Sequence, residues 1–328
     1  MKVKLMIDRS ISDLAFAAKL IDFEKAAMQV SKDVFETPLL PLRLDDRNLM
    51  LKAECLQSLG SFKIRAGANA IETAEPTTLT KGVVTASAGN FGQGVAKAAL
   101  NRGLPVHVIA PNTASTVKIE ALHKLGAKVD TVSFDDWWEI MMTREVEVEG
   151  FFIHPVEELS VIMGNGGIGL EIISKFPEVD AVVVPVGGGG MISGIALAMK
   201  DLGKTPRIIA CEIESSTPLH SAKEAGKPVS VGRGASWIDG IGSTSVLPKM
   251  WPLLNELVDE VIVVSHSEAA HSLRVLARDS HLVVEGAGAV AHAAAMRSKF
   301  SGKNIVSVIS GGNIDFSTYS RILNGDDF

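Results

Sequence analysis

The sequence predicts an α/β fold, with a parallel or mixed sheet distributed over two domains. Three observations point there. Short β-branched runs alternate along the chain with segments of helical periodicity. Many of the 30 glycines gather where such a run gives way to a helix. The chain is also long and apolar, with 328 residues of which 46% are hydrophobic. Single cores stop growing near ~250–300 residues, so two units are expected.

The elements follow in order. Leu14, Ala17, Ala18, Ile21 and Met28 form a helical stripe over 13–31, which Thr37-Pro38 and Pro41 end. A weakly alternating strand is expected at 49–55. A helix should then start at Gly60-Ser61, with Ser61 as its N-cap and Ile64, Ala68 and Ile71 on one face. Strands at 82–86, 106–110 and 128–132 alternate with helices at 91–101 and 116–125, and the rhythm continues to Phe151-Phe152. A helix at 167–176, a buried strand at 181–186 and a helix at 191–202 come next. Strands at 207–212 and 260–264, helices at 267–280 and 286–299, and a strand at 304–310 complete the pattern. Such alternation gives a parallel sheet covered on both faces, with ligands held in loops after the strand carboxyl ends.

Composition removes several functions. Net charge is −6, from 32 basic and 38 acidic residues, without a Lys/Arg run. A nucleic-acid partner is therefore not expected. Asp8, Arg9, Asp13 and Lys19 interrupt the early apolar residues, so neither a signal segment nor a membrane span is expected. Cys55 and Cys211 are too few for a disulfide framework and read as reduced thiols of a cytoplasmic protein. The eight histidines form no His-x-x-x-His pair, and there is no Gly-x-Ser-x-Gly elbow. Zinc and serine hydrolase chemistry lose their support.

The chemistry lies in four places. Gly187, Gly188, Gly189 and Gly190, followed by Met191, come after the 181–186 strand and open a helix. One glycine would serve a tight turn; four expose backbone N–H groups to an anion at a helix N-terminus. Ser87-Ala88-Gly89-Asn90-Phe91 occupies a similar turn and could hold a carboxylate or a phenolic oxygen, though capping chemistry also uses such residues. Ser310-Gly311-Gly312-Asn313 follows the last strand, where a hydroxyl can meet a ligand or merely close a turn. Lys63 sits between Phe62 and Ile64 near a helix start, which disfavours a protonated amine and suits a Schiff-base nucleophile. Elsewhere, Gly164-Asn165-Gly166-Gly167-Ile168-Gly169 matches G-x-G-x-x-G. It lacks the full preceding strand and the downstream acid of a dinucleotide site. A lysine nucleophile, an anion loop and a carboxylate loop together suggest pyridoxal phosphate.

The chain resembles the serine/threonine dehydratase and serine racemase family, type II pyridoxal phosphate enzymes with the tryptophan-synthase-β fold. The resemblance runs from about residue 36 to 323. It rests on Lys52-x-Glu54-x-x-Gln57-x-x-Gly60-Ser61-Phe62-Lys63-Ile64-Arg65, the 87–94 loop, Gly187–Gly190, Val284-Glu285-Gly286-Ala287-Gly288-Ala289 and Ser310–Asn313. It implies a large cofactor-binding domain of 1–56 and 150–328 and a small mobile domain of 57–149 that carries the substrate loop. Lys63 would hold the cofactor and remove the α-proton, with Phe62 against the ring, Asn90 on the 3-oxygen and Ser310 at the pyridine nitrogen. Gly187–Gly190 and Met191 would bind the phosphate. Ser87, Ala88, Gly89, Asn90 and Phe91 would surround the substrate, Ser87 and the 89–91 amides taking its carboxylate. No side-chain acid for the departing hydroxide is evident in these motifs.

The implied reaction dehydrates and deaminates a 3-hydroxy-α-amino acid to a 2-oxo acid and ammonia. A racemase of the same family and a non-catalytic ligand-binding relative are the alternatives. In the racemase pattern a serine precedes the Gly-Asn pair; here that residue is Ala88, so dehydration with little racemisation is expected. Phe91 and Trp237 stand where relatives have histidine and small residues, which suggests an aromatic-lined pocket for a bulkier substrate such as phenylserine. Arg65-Ala66-Gly67 replaces the usual Arg-Gly-Ala, Val156 stands where some relatives have a polar residue, and Pro218 lies where racemases carry a second acid. With Glu212 and Gly240 present, a monovalent cation held mainly by carbonyls is the expected ion. The small-molecule amino acid would be the partner, and the resemblance implies a homodimer.

Overall fold

The computed structural model describes residues 22–43 and 46–327. Among them are ten strands: β1 (Leu39–Arg43), β2 (Asn48–Lys52), β3 (Val83–Thr85), β4 (Val106–Pro111), β5 (Lys128–Val132), β6 (Phe151–Phe152), β7 (Ala181–Pro185), β8 (Arg207–Ile213), β9 (Glu260–Val264) and β10 (Asn304–Val308). The helices are α1 (Phe23–Gln29), α2 (Lys63–Glu72), α3 (Asn90–Leu100), α4 (Thr116–Lys124), α5 (Phe134–Thr143), α6 (Leu159–Lys175), α7 (Gly190–Asp201), α8 (Pro218–Ala225), α9 (Trp251–Leu257), α10 (His266–Asp279), α11 (Gly286–Ala295) and α12 (Phe316–Leu323). A six-stranded sheet runs β1-β2-β10-β7-β8-β9, and a four-stranded sheet runs β5-β4-β3-β6. Only the β1–β2 pair is antiparallel. The fold is thus mixed in one sheet and parallel in the other, as the sequence predicts.

The unbroken apolar run of β7 follows from burial on both faces. Val182 and Val184 join one core with Ile162, Ile168, Ile195 and Leu254. Ala181 and Val183 join the opposite core with Leu49, Leu273 and Val290. Alternate residues of a strand point to opposite faces, so one strand serves two cores. A third core, built on Ile64, Val95, Val108 and Leu122, belongs to the smaller sheet. Phe151 and Phe152 pair with Val83 and Val84, so the strands of that sheet extend past residue 149.

Several sequence expectations change. Residues 13–21 of the expected first helix lie outside the described residues, and the described part is Phe23–Gln29. Ser61 does not cap α2: the N-cap position is Phe62, without a side-chain cap bond, and the Ser61 backbone instead bridges to Gly311. The expected helix at 167–176 begins at Leu159, so the G-x-G-x-x-G match lies inside α6. Glycine costs a helix about 1 kcal/mol relative to alanine, so four glycines inside one helix need a reason. Close approach explains them. A Cβ at Gly164 would lie 2.4 Å from the Arg65 carbonyl oxygen, and one at Gly166 2.1 Å from the Phe23 ring. The segment is a helix crossing.

A similar crossing positions the chemistry. A Cβ on Gly67 would stand 2.7 Å from the Gly94 carbonyl carbon, and one on Gly94 2.6 Å from the Lys63 carbonyl oxygen. With neither side chain present, α2 and α3 touch backbone to backbone. The first turns of both, carrying Lys63 and Asn90, meet at one cavity. The Arg65-Ala66-Gly67 order therefore places its glycine at the contact.

Candidate active site

A cavity of ≈ 440 Å³ opens at the carboxyl ends of β3, β7 and β10. Its walls include Phe62, Lys63, all of Ser87–Phe91, Gly187–Gly190, Met191, Gly240 and Ser310. The sequence motifs, spread over more than 240 positions, thus converge. Two predicted residues do not join them. Trp237 lies outside the lining side chains, because its ring covers Gly286 at the start of α11, where a Cβ would meet it at 2.8 Å. Glu212 is also outside the lining. Its carboxylate accepts the Leu219 and His220 amides at 2.8 and 2.9 Å, so it tethers the first turn of α8. Burial pushes its pKa up to about 7. The expected pairing of Glu212 with Gly240 around a cation therefore finds only Gly240 at the cavity.

The glycine end of the cavity is built from backbone. At Gly188 a Cβ would strike Val156 at 2.3 Å, and at Gly189, where φ is +92°, it would strike Leu254 at 2.7 Å. Only glycine fits both positions, and the chain turns there directly into α7. The open amides and the positive end of the helix dipole face the cavity.

Lys63 is the first residue of α2. Its Nζ lies 4.8 Å from the Phe62 ring centroid and 5.6 Å from that of Phe91. Burial lowers its pKa to about 8, while the charge of Glu285 pulls the other way. The two ring faces also favour the charged form, but desolvation outweighs them. Ser310, 2% exposed, leaves its hydroxyl on the cavity wall without a partner among the described residues.

Glu285 carried no assigned role in the sequence reading, although it stands alone as an acid in the apolar Val284–Ala289 run. It is fully buried, and desolvation raises its pKa to about 7. Asn90 Nδ2 donates to both of its oxygens at 3.0 Å, and Asn90 Oδ1 accepts from Asn313 Nδ2 at 2.8 Å. This chain of bonds sets the plane of the Asn90 amide. Glu285 also supplies a cavity-lining acid that the motifs alone did not reveal.

The opposite wall is aromatic and comes from α5, a helix the sequence reading did not delimit. Phe134, Trp137 and Trp138 all line the cavity. Phe134 and Trp137 have ring centroids 5.7 Å apart, and Trp137 and Trp138 6.2 Å. Trp137 Nε1 donates to the Ala86 carbonyl at 3.2 Å, which ties this wall to the start of the Ser87 loop. The available signal was two adjacent tryptophans in a chain with only four. At the mouth, Lys118 of α4 pairs with Asp239 from the loop after α8.

An α/β fold with a half-buried lysine, a glycine turn at a helix N-terminus and a serine hydroxyl without a partner among the described residues, all around one cavity, defines a cofactor-dependent enzyme class. Residues 30–311 match the family of pyridoxal-phosphate dependent enzymes, and the chain belongs to that family. It is 35% identical over 322 residues to serine racemase of Rattus norvegicus, covering 94% of this chain and 96% of the relative. It is 38% identical over 279 residues to L-threonine ammonia-lyase of Thermotoga maritima, covering 84% and 70%. The solved structure of maize serine racemase superposes with a TM-score of 0.83 at 30% identity, covering 92% of this chain and 95% of that one. The family uses pyridoxal phosphate, and the residues present fit it. A lowered-pKa amine, a cradle that a Cβ would fill and the unpartnered Ser310 hydroxyl each match one part of that molecule.

Proposed function

We propose that this protein is an ammonia-lyase that dehydrates and deaminates a 3-hydroxy-α-amino acid carrying a bulky, aromatic β-substituent, with phenylserine as the type substrate. Ala88 is the observation that carries the choice of lyase. It lines the cavity and is 7% exposed, at the position where the racemase pattern has a serine. A methyl group has no proton to return to the second face of the substrate.

Pyridoxal phosphate, when bound, supplies the electron sink that makes the substrate Cα–H acidic. The chain's residues do the rest. Lys63 holds the cofactor and, neutral above about pH 8, takes the α-proton. The first amides of α3 have no intrahelical partner, and with the Ser87 hydroxyl they receive the substrate carboxylate. Gly187–Gly190 and the Met191 amide would hold the phosphate, Ser310 would meet the ring nitrogen, and Asn90 would donate to the 3-oxygen. Ser310 would offer the ring nitrogen a neutral hydroxyl and no carboxylate counter-charge.

The aromatic wall of Phe91, Phe134, Trp137 and Trp138 supports the substrate class. It replaces Trp237 in that argument. Bulky apolar surface gains transition-state binding there that threonine, with one methyl group, cannot. The homodimer implied by the resemblance and a reducing, cytoplasmic setting belong to the same proposal; the buried free thiols of Cys55 and Cys211 support the latter.

The 35% identity to a serine racemase favours racemisation as the second reading. One experiment separates the two. Threonine, serine and phenylserine are offered to the holoenzyme, ammonia release is followed, and the residual substrate is resolved by chiral chromatography. Ammonia release from phenylserine with the residual substrate unracemised is expected. Racemisation as fast as ammonia release overturns the lyase, and absence of phenylserine turnover overturns the aromatic substrate class.

A further inference from the structure

Asn165 has no role in the reading above. It sits in the middle of α6, is 2% exposed, and lines the cavity beside the glycine turn. Its side chain makes no hydrogen bond with any described residue, and its Oδ1 is enclosed without a donor. Its amide nitrogen looks toward the start of α7: the place a Gly190 Cβ would occupy is 3.8 Å from Nδ2. A would-be Cβ on Gly194, one turn further along α7, is 3.0 Å from the Asn165 Cβ, so the residue is wedged between the two helices.

A buried primary amide without partners is destabilising, and asparagine is a poor residue for a helix interior. Apolar packing alone would be served better by leucine or methionine. A group in the cavity that accepts from Nδ2 removes the contradiction. The open amides of Gly187–Gly190 and the positive end of α7 select an anion at that spot. The Asn165 amide carries a two-hydrogen donor that can meet an anion there.

We propose that Asn165 Nδ2 donates a hydrogen bond to a phosphate oxygen of the cofactor. The phosphate would then be held from two helices, by backbone amides from α7 and by one side chain from α6. The Asn165 side chain would also couple α6, which crosses Arg65 of α2, to the seating of the cofactor.

The test is cofactor affinity, read apart from turnover. Apoprotein of the wild type, Asn165→Leu, Asn165→Ala and Asn165→Asp is titrated with pyridoxal phosphate and, separately, with pyridoxal, which lacks the phosphate. Binding is followed by quenching of tryptophan fluorescence, and the phosphorus resonance of the bound cofactor is recorded. Loss of one hydrogen bond to a charged oxygen is expected to weaken pyridoxal phosphate about tenfold or more in the Leu and Ala variants. The Asp variant, with a carboxylate facing the phosphate, should lose more. Pyridoxal affinity should change less than twofold, and the phosphorus resonance should shift in any variant that still binds. Wild-type affinity in Asn165→Leu assigns the residue to packing and overturns the proposal. So does equal weakening of pyridoxal and pyridoxal phosphate. If Asn165→Asp fails to fold, as judged by circular dichroism, the Leu variant decides alone.

Discussion

The two walls of the cavity are made differently. The wall proposed to hold the cofactor is backbone and short side chains set in buried scaffold: Gly188, Gly189 and Ser310 follow strands β7 and β10, which lie between both cores of the large sheet. The wall proposed to meet the substrate is large rings on α5, whose Phe134 is 41% exposed and whose only buried residue is Met141. A wall of backbone atoms admits one ligand shape and tolerates no added methyl group. A wall of rings can be recut one side chain at a time. Damage to the first should abolish binding of the cofactor, and damage to the second should change which substrate is used.

The largest effect belongs to Lys63. Lys63→Ala should lose the visible absorption of lysine-bound cofactor and essentially all turnover; retained turnover without an added amine would reject its assignment. Gly189→Ala comes next. Its φ of +92° and the 2.7 Å approach of Leu254 make any Cβ strained. A stability loss of about 1–3 kcal/mol in urea melts and at least a tenfold weaker cofactor are expected. Unchanged affinity would mean that the turn adapts and the wall is not rigid.

Trp137→Ala tests the other wall. Ring contacts contribute about 0.5–1.5 kcal/mol beyond area burial. The kcat/KM ratio of phenylserine to threonine should therefore fall several-fold, with cofactor affinity unchanged. Trp237→Ala, outside the lining, should leave that ratio as it was. If the two variants behave alike, the aromatic wall has been assigned to the wrong rings.

The smallest effect is a shift along the pH axis. The Lys63 pKa of about 8 lies below its ordinary 10.5, so the fold disfavours the ammonium form. Cofactor attachment requires the neutral amine, and its rate in apoprotein should rise with pH through about 8. Ionised Glu285 raises the Lys63 pKa, so Glu285→Gln should move that midpoint to lower pH. Stopped-flow measurement of attachment rate against pH checks this, and an unmoved midpoint would remove the coupling.

The two glycine-rich segments show how far sequence reasoning reaches. Both are dense in the same residue. Gly187–Gly190 was legible because it follows an unmistakable buried strand and opens a helix, and flanking periodicity is a local property. Gly164–Gly169 was not legible, because its reason lies in Phe23 and Arg65, elements remote in the chain. The role of α5 was not legible for a related reason: that Phe134, Trp137 and Trp138 line the cavity depends on where the helix packs, and not on its own pattern.

The sequence by itself determined the alternation of strands and helices, the glycine turn after β7, and the place of Lys63 beside Phe62 at a helix start. Each is written in neighbouring residues, where backbone sterics and side-chain periodicity act. Tertiary structure alone decided that Glu285 faces Asn90 and Lys63, that Glu212 holds the amides of α8, and that tryptophans 137 and 138, not 237, reach the cavity. Those facts depend on distances between segments far apart in the chain. Burial, charge and ring contact act through space, and one sequence, read along its length, carries no record of which remote residues will meet.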